Sequence, residues 1–149
     1  MTTMRLSEIR SELLREHQHI RSLALETLGL AERVARREAT LQPALRERLA
    51  ALEVTVWTHN QREEALLDHV LPTLDAWGPA RAARMCERHG LEYEATFEAA
   101  ANARTPADAA RACVILAALL EQIDREEDEF LSDAVLDESS FDIGSTFGG

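Results

Sequence analysis

The chain carries polar, metal-competent side chains on the inward stripes of its amphipathic segments. In one segment the apolar line runs Leu45, Leu49, Leu52, Val56, His59, Glu63, Leu66, Val70, so His59 and Glu63 stand where a spacing of three or four calls for a hydrophobe. A second reads Leu6, Ile9, Leu13, His17, Ile20, Ala24; a third Ala82, Met85, His89, Tyr93, Thr96; a fourth Ile115, Leu119, Gln122, Glu126, Phe130. Burying such groups costs free energy unless something pairs with them. Four interruptions on four helices fold most simply around one shared polar centre, and a metal inside a helical bundle accounts for all of them.

The spacing predicts an all-α chain: an antiparallel, up-down four-helix bundle over residues 1–136 and a C-terminal tail over 137–149. The first helix is expected from about Ser7 to Ala39. The second starts at Pro43, a residue suited to a first turn, and fades near Leu74. Ala76-Trp77-Gly78-Pro79 is a break that opens the third helix, which runs to about Ala103. Thr105-Pro106-Ala107-Asp108 has the form of a capping box and opens the fourth, to about Leu136. Short connections place neighbouring helices antiparallel, so depth follows from distance to the turn. From Trp77, Glu63 lies 14 residues back and His89 lies 12 forward; from Thr105, His89 lies 16 back and Gln122 lies 17 forward. The polar residues therefore fall in one layer.

An internal repeat supports this. His59-Asn60-Gln61-Arg62-Glu63-Glu64 returns 63 residues later as Gln122-Ile123-Asp124-Arg125-Glu126-Glu127, with Arg-Glu-Glu in register. The bundle reads as two related hairpins in which His17 corresponds to His89. Gln122 stands where the repeat calls for a histidine, which predicts an asymmetric site.

A histidine and a glutamate four residues apart share one helical face and can address one centre. Imidazole and carboxylate together suit iron, zinc or manganese. With no cysteine on the stripes a thiolate site is not expected, and two carboxylates able to bridge point to a pair of metals, iron first. A ferritin-like arrangement needs Glu-x-x-His on two helices, and only Glu16 with His19 shows it, off the stripe. Cys86 and Cys113 form no CxxC and are expected as reduced, mostly buried thiols.

Over residues 7–136 the pattern resembles the hemerythrin-like, or HHE, cation-binding domains: one histidine on the first helix, HxxxE on the second, one histidine on the third and HxxxE on the fourth. Here these are His17, His59 with Glu63, His89, and Gln122 with Glu126, so five of six positions agree. The resemblance implies a non-haem di-iron centre with Glu63 and Glu126 bridging and the histidines terminal. It implies one iron on His17 and His59, and a weaker one on His89 with Gln122, a water, or the phenolate of Tyr93. Tyr93 lies where hemerythrins proper carry a second histidine on that helix.

The tail, Phe141-Asp142-Ile143-Gly144-Ser145-Thr146-Phe147-Gly148-Gly149, alternates apolar residues before a Gly-Ser step and keeps no helical period. It resembles the loading peptides of encapsulin cargo, through Phe141, Ile143, Gly144, Ser145 and Phe147. Thr146 departs from the usual Leu.

The net charge of −11 opposes binding to nucleic acid or to anionic membranes. The longest apolar run, Ala112 to Leu120, is too short to cross a bilayer. The expectation is a cytoplasmic homo-oligomer, a dimer, held inside an encapsulin compartment and meeting oxygen, peroxide or nitric oxide in oxidative or nitrosative stress. Two other readings use the same residues: a sensing module for oxygen, nitric oxide or iron without catalysis, and a structural bundle whose metal site has decayed.

Overall fold

The computed structural model describes residues 5–68 and 78–132. Helix α1 spans Leu6–Ala35, α2 Gln42–Asp68, α3 Gly78–Asn102 and α4 Pro106–Phe130, with a 3-10 turn at Ala39–Leu41. Among the described residues the structure is all-helical. Each helix packs on its neighbour in the chain, and α1 also packs on α4, which closes the ring.

The first helix ends four residues sooner than its periodicity predicts. The amide of Glu38 donates to the Arg33 carbonyl at 3.1 Å and that of Arg37 to Val34 at 2.9 Å, the paired bonds of a Schellman stop. Arg37 takes the left-handed conformation there, at φ 73°. No glycine marks the stop, so the sequence hides it. The second helix starts one residue before Pro43, and the side chain of Gln42 reaches across to the Ala103 carbonyl at 2.8 Å. At the start of α4 the capping box forms as expected: Asp108 N donates to Thr105 Oγ1 at 3.1 Å, and Thr105 N to Asp108 Oδ2 at 3.0 Å. The expected fading of α2 near Leu74, most of the break at 76–79, the end of α4 at Leu136 and the whole tail from 137 lie outside the described residues.

The inward faces are Leu13, His17, Ile20, Ala24 on α1 and Val56, His59, Asn60, Glu63, Leu67 on α2. On α3 they are Met85, His89, Glu92, Thr96, Ala99, and on α4 Leu119, Ile123, Glu126, Phe130. Three readings of the stripes shift by one residue, on α3 from Tyr93 to the buried Glu92. Leu67 rather than Leu66 is fully buried on α2, and Leu116 and Ile123 replace Ile115 and Gln122 on α4, leaving those two half-buried. Cys86 is exposed rather than buried, because it follows Met85 one step round the helix and leaves the inward face; Cys113 is half-buried and also free.

Apolar side chains gather in two separate clusters. One holds Ile20, Ala24, Leu49, Leu52, Val56, Leu116, Leu119 and Ile123; the other holds Leu6, Ile9, Leu13, Leu67, Met85 and Phe130. On every helix the buried histidines and glutamates fall between the two. The bundle is thus two greasy plugs with a polar layer between them, and each plug excludes water from one side of that layer.

Candidate metal centre

Glu63 is the middle of the polar layer. Its Oε2 lies 3.3 Å from His17 Nε2 and 3.1 Å from His59 Nε2, while its Oε1 lies 3.0 Å from His89 Nε2. Glu126 Oε1 lies 3.9 Å from the same His89 nitrogen. Two triads result, His17–His59–Glu63 and Glu63–His89–Glu126, each with ligand atoms within 4.8 Å of one another and every member buried. These groups could hold a metal ion. The carboxylate common to both is Glu63 alone; Glu126, expected to bridge as well, belongs to the His89 triad only.

All three imidazoles present Nε2 inward, and the reason lies on their other nitrogen. Nδ1 of His59 on α2 donates to Glu16 Oε1 on α1 at 2.9 Å. That of His89 on α3 donates to Glu64 Oε1 on α2 at 3.1 Å, and that of His17 on α1 to Glu127 Oε2 on α4 at 3.3 Å. Such carboxylate partners fix the ring and raise its basicity as a ligand. The carboxylates are held in turn: Arg62 Nε pairs with Glu16 Oε2 at 2.9 Å, and Arg21 grips Glu127 while bonding Asp124 at 2.8 Å.

The charge balance inside the layer is unusual. Burial disfavours the charged form of His17, but the Glu127 and Glu63 carboxylates beside it outweigh this and lift its pKa to about 9. His89 rises for the same reasons, against its own burial. Burial would raise Glu63, yet the three histidines hold its carboxyl well below the usual range. Glu126 goes the other way: burial, then the neighbouring Glu92 carboxylate, then Glu63, raise it far above a normal carboxyl.

A test of whether this layer suits a metal is which buried polar atoms find no hydrogen-bond partner. They are His17 Nε2, His59 Nε2, Glu63 Oε2, Glu126 Oε1, Glu92 Oε1, Asn60 Oδ1 and Arg88 Nη1. Four of the seven belong to the two triads, and those four are nitrogen and oxygen atoms of the kind iron, zinc or manganese takes once deprotonated. Elsewhere buried hydroxyls are satisfied on their own helix, as Thr27 is at the Leu23 carbonyl, 2.6 Å away. The donor set fits a metal better than it fits a self-contained hydrogen-bond network.

His17, His59, Glu63, His89 and Glu126 are therefore brought together, as their spacing predicts. Tyr93 and Gln122 are half-buried, unlike these five. Tyr93 leans on Phe97, with ring centroids 6.2 Å apart. Gln122 lines a cavity of about 280 Å³ between α3 and α4, together with Arg88, Glu92 and several apolar side chains. His19 is exposed, and the tail residues Phe141, Ile143, Gly144, Ser145 and Phe147 lie outside the described residues. Two further buried polar residues that the spacing does not single out join the layer: Glu92, only 7 % exposed, and Asn60, whose Nδ2 donates to Glu92 Oε2 at 3.5 Å.

Comparison of the chain with known protein families, with curated proteins and with solved structures finds no match. Among the described residues no helix is long and apolar enough to cross a membrane.

Proposed function

We propose that the chain is a hemerythrin-like di-iron protein, an antiparallel up-down bundle that meets oxygen, peroxide or nitric oxide in protection against oxidative or nitrosative stress. The observation that carries this reading is Glu63, whose two oxygens face two different donor sets, His17 with His59 and His89 with Glu126. A carboxylate so placed is what a pair of metals needs as a bridge. Nitrogen and oxygen donors without thiolate favour iron over a cysteine-bound metal, and bound iron would supply redox chemistry and open coordination positions for a small ligand. The protein's own part is clear from its residues. The histidines aim Nε2 inward, Glu16, Glu64 and Glu127 keep them so, and the two apolar clusters keep bulk water out.

Anaerobic reconstitution with ferrous iron, followed by metal analysis and Mössbauer spectroscopy, tests the reading. Two irons per chain, magnetically coupled after oxidation, are expected. A protein that takes up no iron, aerobically or anaerobically, is a structural bundle instead.

The reading extends to packaging in an encapsulin shell. Its support is the sequence alone, the alternation of Phe141 and Ile143 before Gly144-Ser145. Deleting residues 138–149 is expected to abolish co-purification with a co-expressed shell, and normal packaging of the shortened chain would leave a free hemerythrin-like protein.

A further inference from the structure

The two hairpins differ in a coordinated way. A shift of 72 residues maps α1 onto α3, carrying Leu13, His17, Ile20, Ala24 onto Met85, His89, Glu92, Thr96, and each of these eight side chains is buried. The shift of 63 residues maps α2 onto α4. In the first hairpin His59 is a triad member and Glu16 buttresses its Nδ1. Their counterparts in the second are Gln122 and Arg88, so the imidazole and the carboxylate that would orient it are both replaced. At the next position of the same face the exchange runs the other way: Ile20, fully apolar and buried, corresponds to Glu92, a buried carboxylate. The second half has lost an imidazole and gained an acid one helical step away.

Glu92 is only partly satisfied by its neighbours, Asn60 and the Glu126 carboxyl that it holds protonated. Burying a carboxylate is costly unless it is fully satisfied. Its Oε2 receives one long bond from Asn60 and its Oε1 receives none. It lines the α3–α4 cavity beside Gln122, close to Glu126 and to His89. Arg88, which also lines the cavity, is paired with Glu129 and stacked 5.3 Å over the Phe130 ring, with its Nη1 buried and unbonded. Glu92 is therefore a buried, partly satisfied carboxylate beside, though not within, the Glu63–His89–Glu126 triad.

We propose that Glu92 is a metal ligand, supplied by α3 in place of the helix α4 histidine that Gln122 replaces. This rests on the dinuclear reading above. The two half-sites then differ in kind: His17, His59 and Glu63 form a nitrogen-rich half, and Glu63, His89, Glu92 and Glu126 an oxygen-rich one. Carboxylate-rich sets favour hard ions such as manganous and ferrous iron, and imidazole-rich sets retain zinc.

The test is titration of the metal-free full chain with Mn²⁺ alone, followed by calorimetry and by electron paramagnetic resonance. Glu92→Gln, which keeps the shape and removes the charge, should weaken one Mn²⁺ binding event by tenfold or more and leave the other unchanged, with helical content intact. Adding Gln122→His to that variant should restore binding at the weakened half, now with Zn²⁺ preferred over Mn²⁺, a rescue that a merely structural glutamate would not permit. Should Glu92→Gln fail to fold, Glu92→Asp must weaken the same event, because it withdraws the oxygens by one methylene. Two Mn²⁺ events of unchanged affinity in Glu92→Gln would overturn the assignment while leaving the dinuclear reading intact. A wild-type chain that binds neither Mn²⁺ nor Fe²⁺ would overturn both.

Discussion

Glu16 on α1 accepts the Nδ1 hydrogen of His59 on α2 at 2.9 Å, and Arg62 fixes its second oxygen. The imidazole is thereby locked with Nε2 toward Glu63. Replacing Glu16 by Gln keeps one acceptor and loses the charge, so affinity at the His17–His59 half is expected to fall 10- to 100-fold, the usual cost of losing such a partner. Metal titration of the variant, with circular dichroism as a control for folding, measures this.

The pH dependence should reverse on metal binding. In the metal-free protein His17 has a folded pKa of about 9 against 6.5 when unfolded, so its contribution is complete below about 6.5 and is lost as pH rises through 9. Glu127, its partner, is lowered to about 2; burial opposes this, and His17 and Arg21 outweigh it. Its contribution is present above 4.5 and lost as pH falls toward 2. Metal-free protein should accordingly be most stable between about pH 4.5 and 6.5, losing on the order of 3 kcal/mol from His17 by pH 9 or above. Metal affinity should rise over the same interval, since ligation requires the Nε2 proton to leave. Chemical denaturation at several pH values, with and without metal, checks both slopes.

Tyr93 should be silent in the spectrum of the oxidised, iron-loaded protein. It is half-buried against Phe97, and the neighbouring Glu92 takes the inward place. Tyr93→Phe is expected to leave the visible absorption unchanged; loss of a broad charge-transfer band would return the phenolate to the centre.

Arg37 pays a conformational cost in the left-handed region at the stop of α1. Arg37→Gly should relieve it and stabilise the fold by about 1 kcal/mol, read as a higher midpoint in urea. The substitution lies far from the polar layer in sequence and should not change metal content.

The ligands His17, His59, Glu63, His89 and Glu126 were legible because a polar residue on an apolar stripe breaks a strict period. Glu92 was not, because steps of three and four both continue a helical stripe, and from His89 the step of four lands on Tyr93. The signal was nonetheless present: α1 alternates four and three through Leu13, His17, Ile20, Ala24, and the same alternation from Met85 selects Glu92. The orienting carboxylates Glu16, Glu64 and Glu127 were hidden for another reason. Each sits beside a ligand or ligand position in sequence but serves a histidine on a different helix, which depends on how neighbouring helices face one another.

That exchange between helices has a mechanical consequence. The histidine of α1 is steered from α4, that of α2 from α1 and that of α3 from α2. A slide of α1, α2 or α4 by a single turn, roughly 5.4 Å, would unhook an imidazole on its neighbour, and a slide of α3 would unhook its own. The polar layer therefore works as a gauge of alignment: the chain can hold its inner donors in place only while all four rods stay in register, and α4, which steers but is not steered, is the rod whose slippage is felt first at His17.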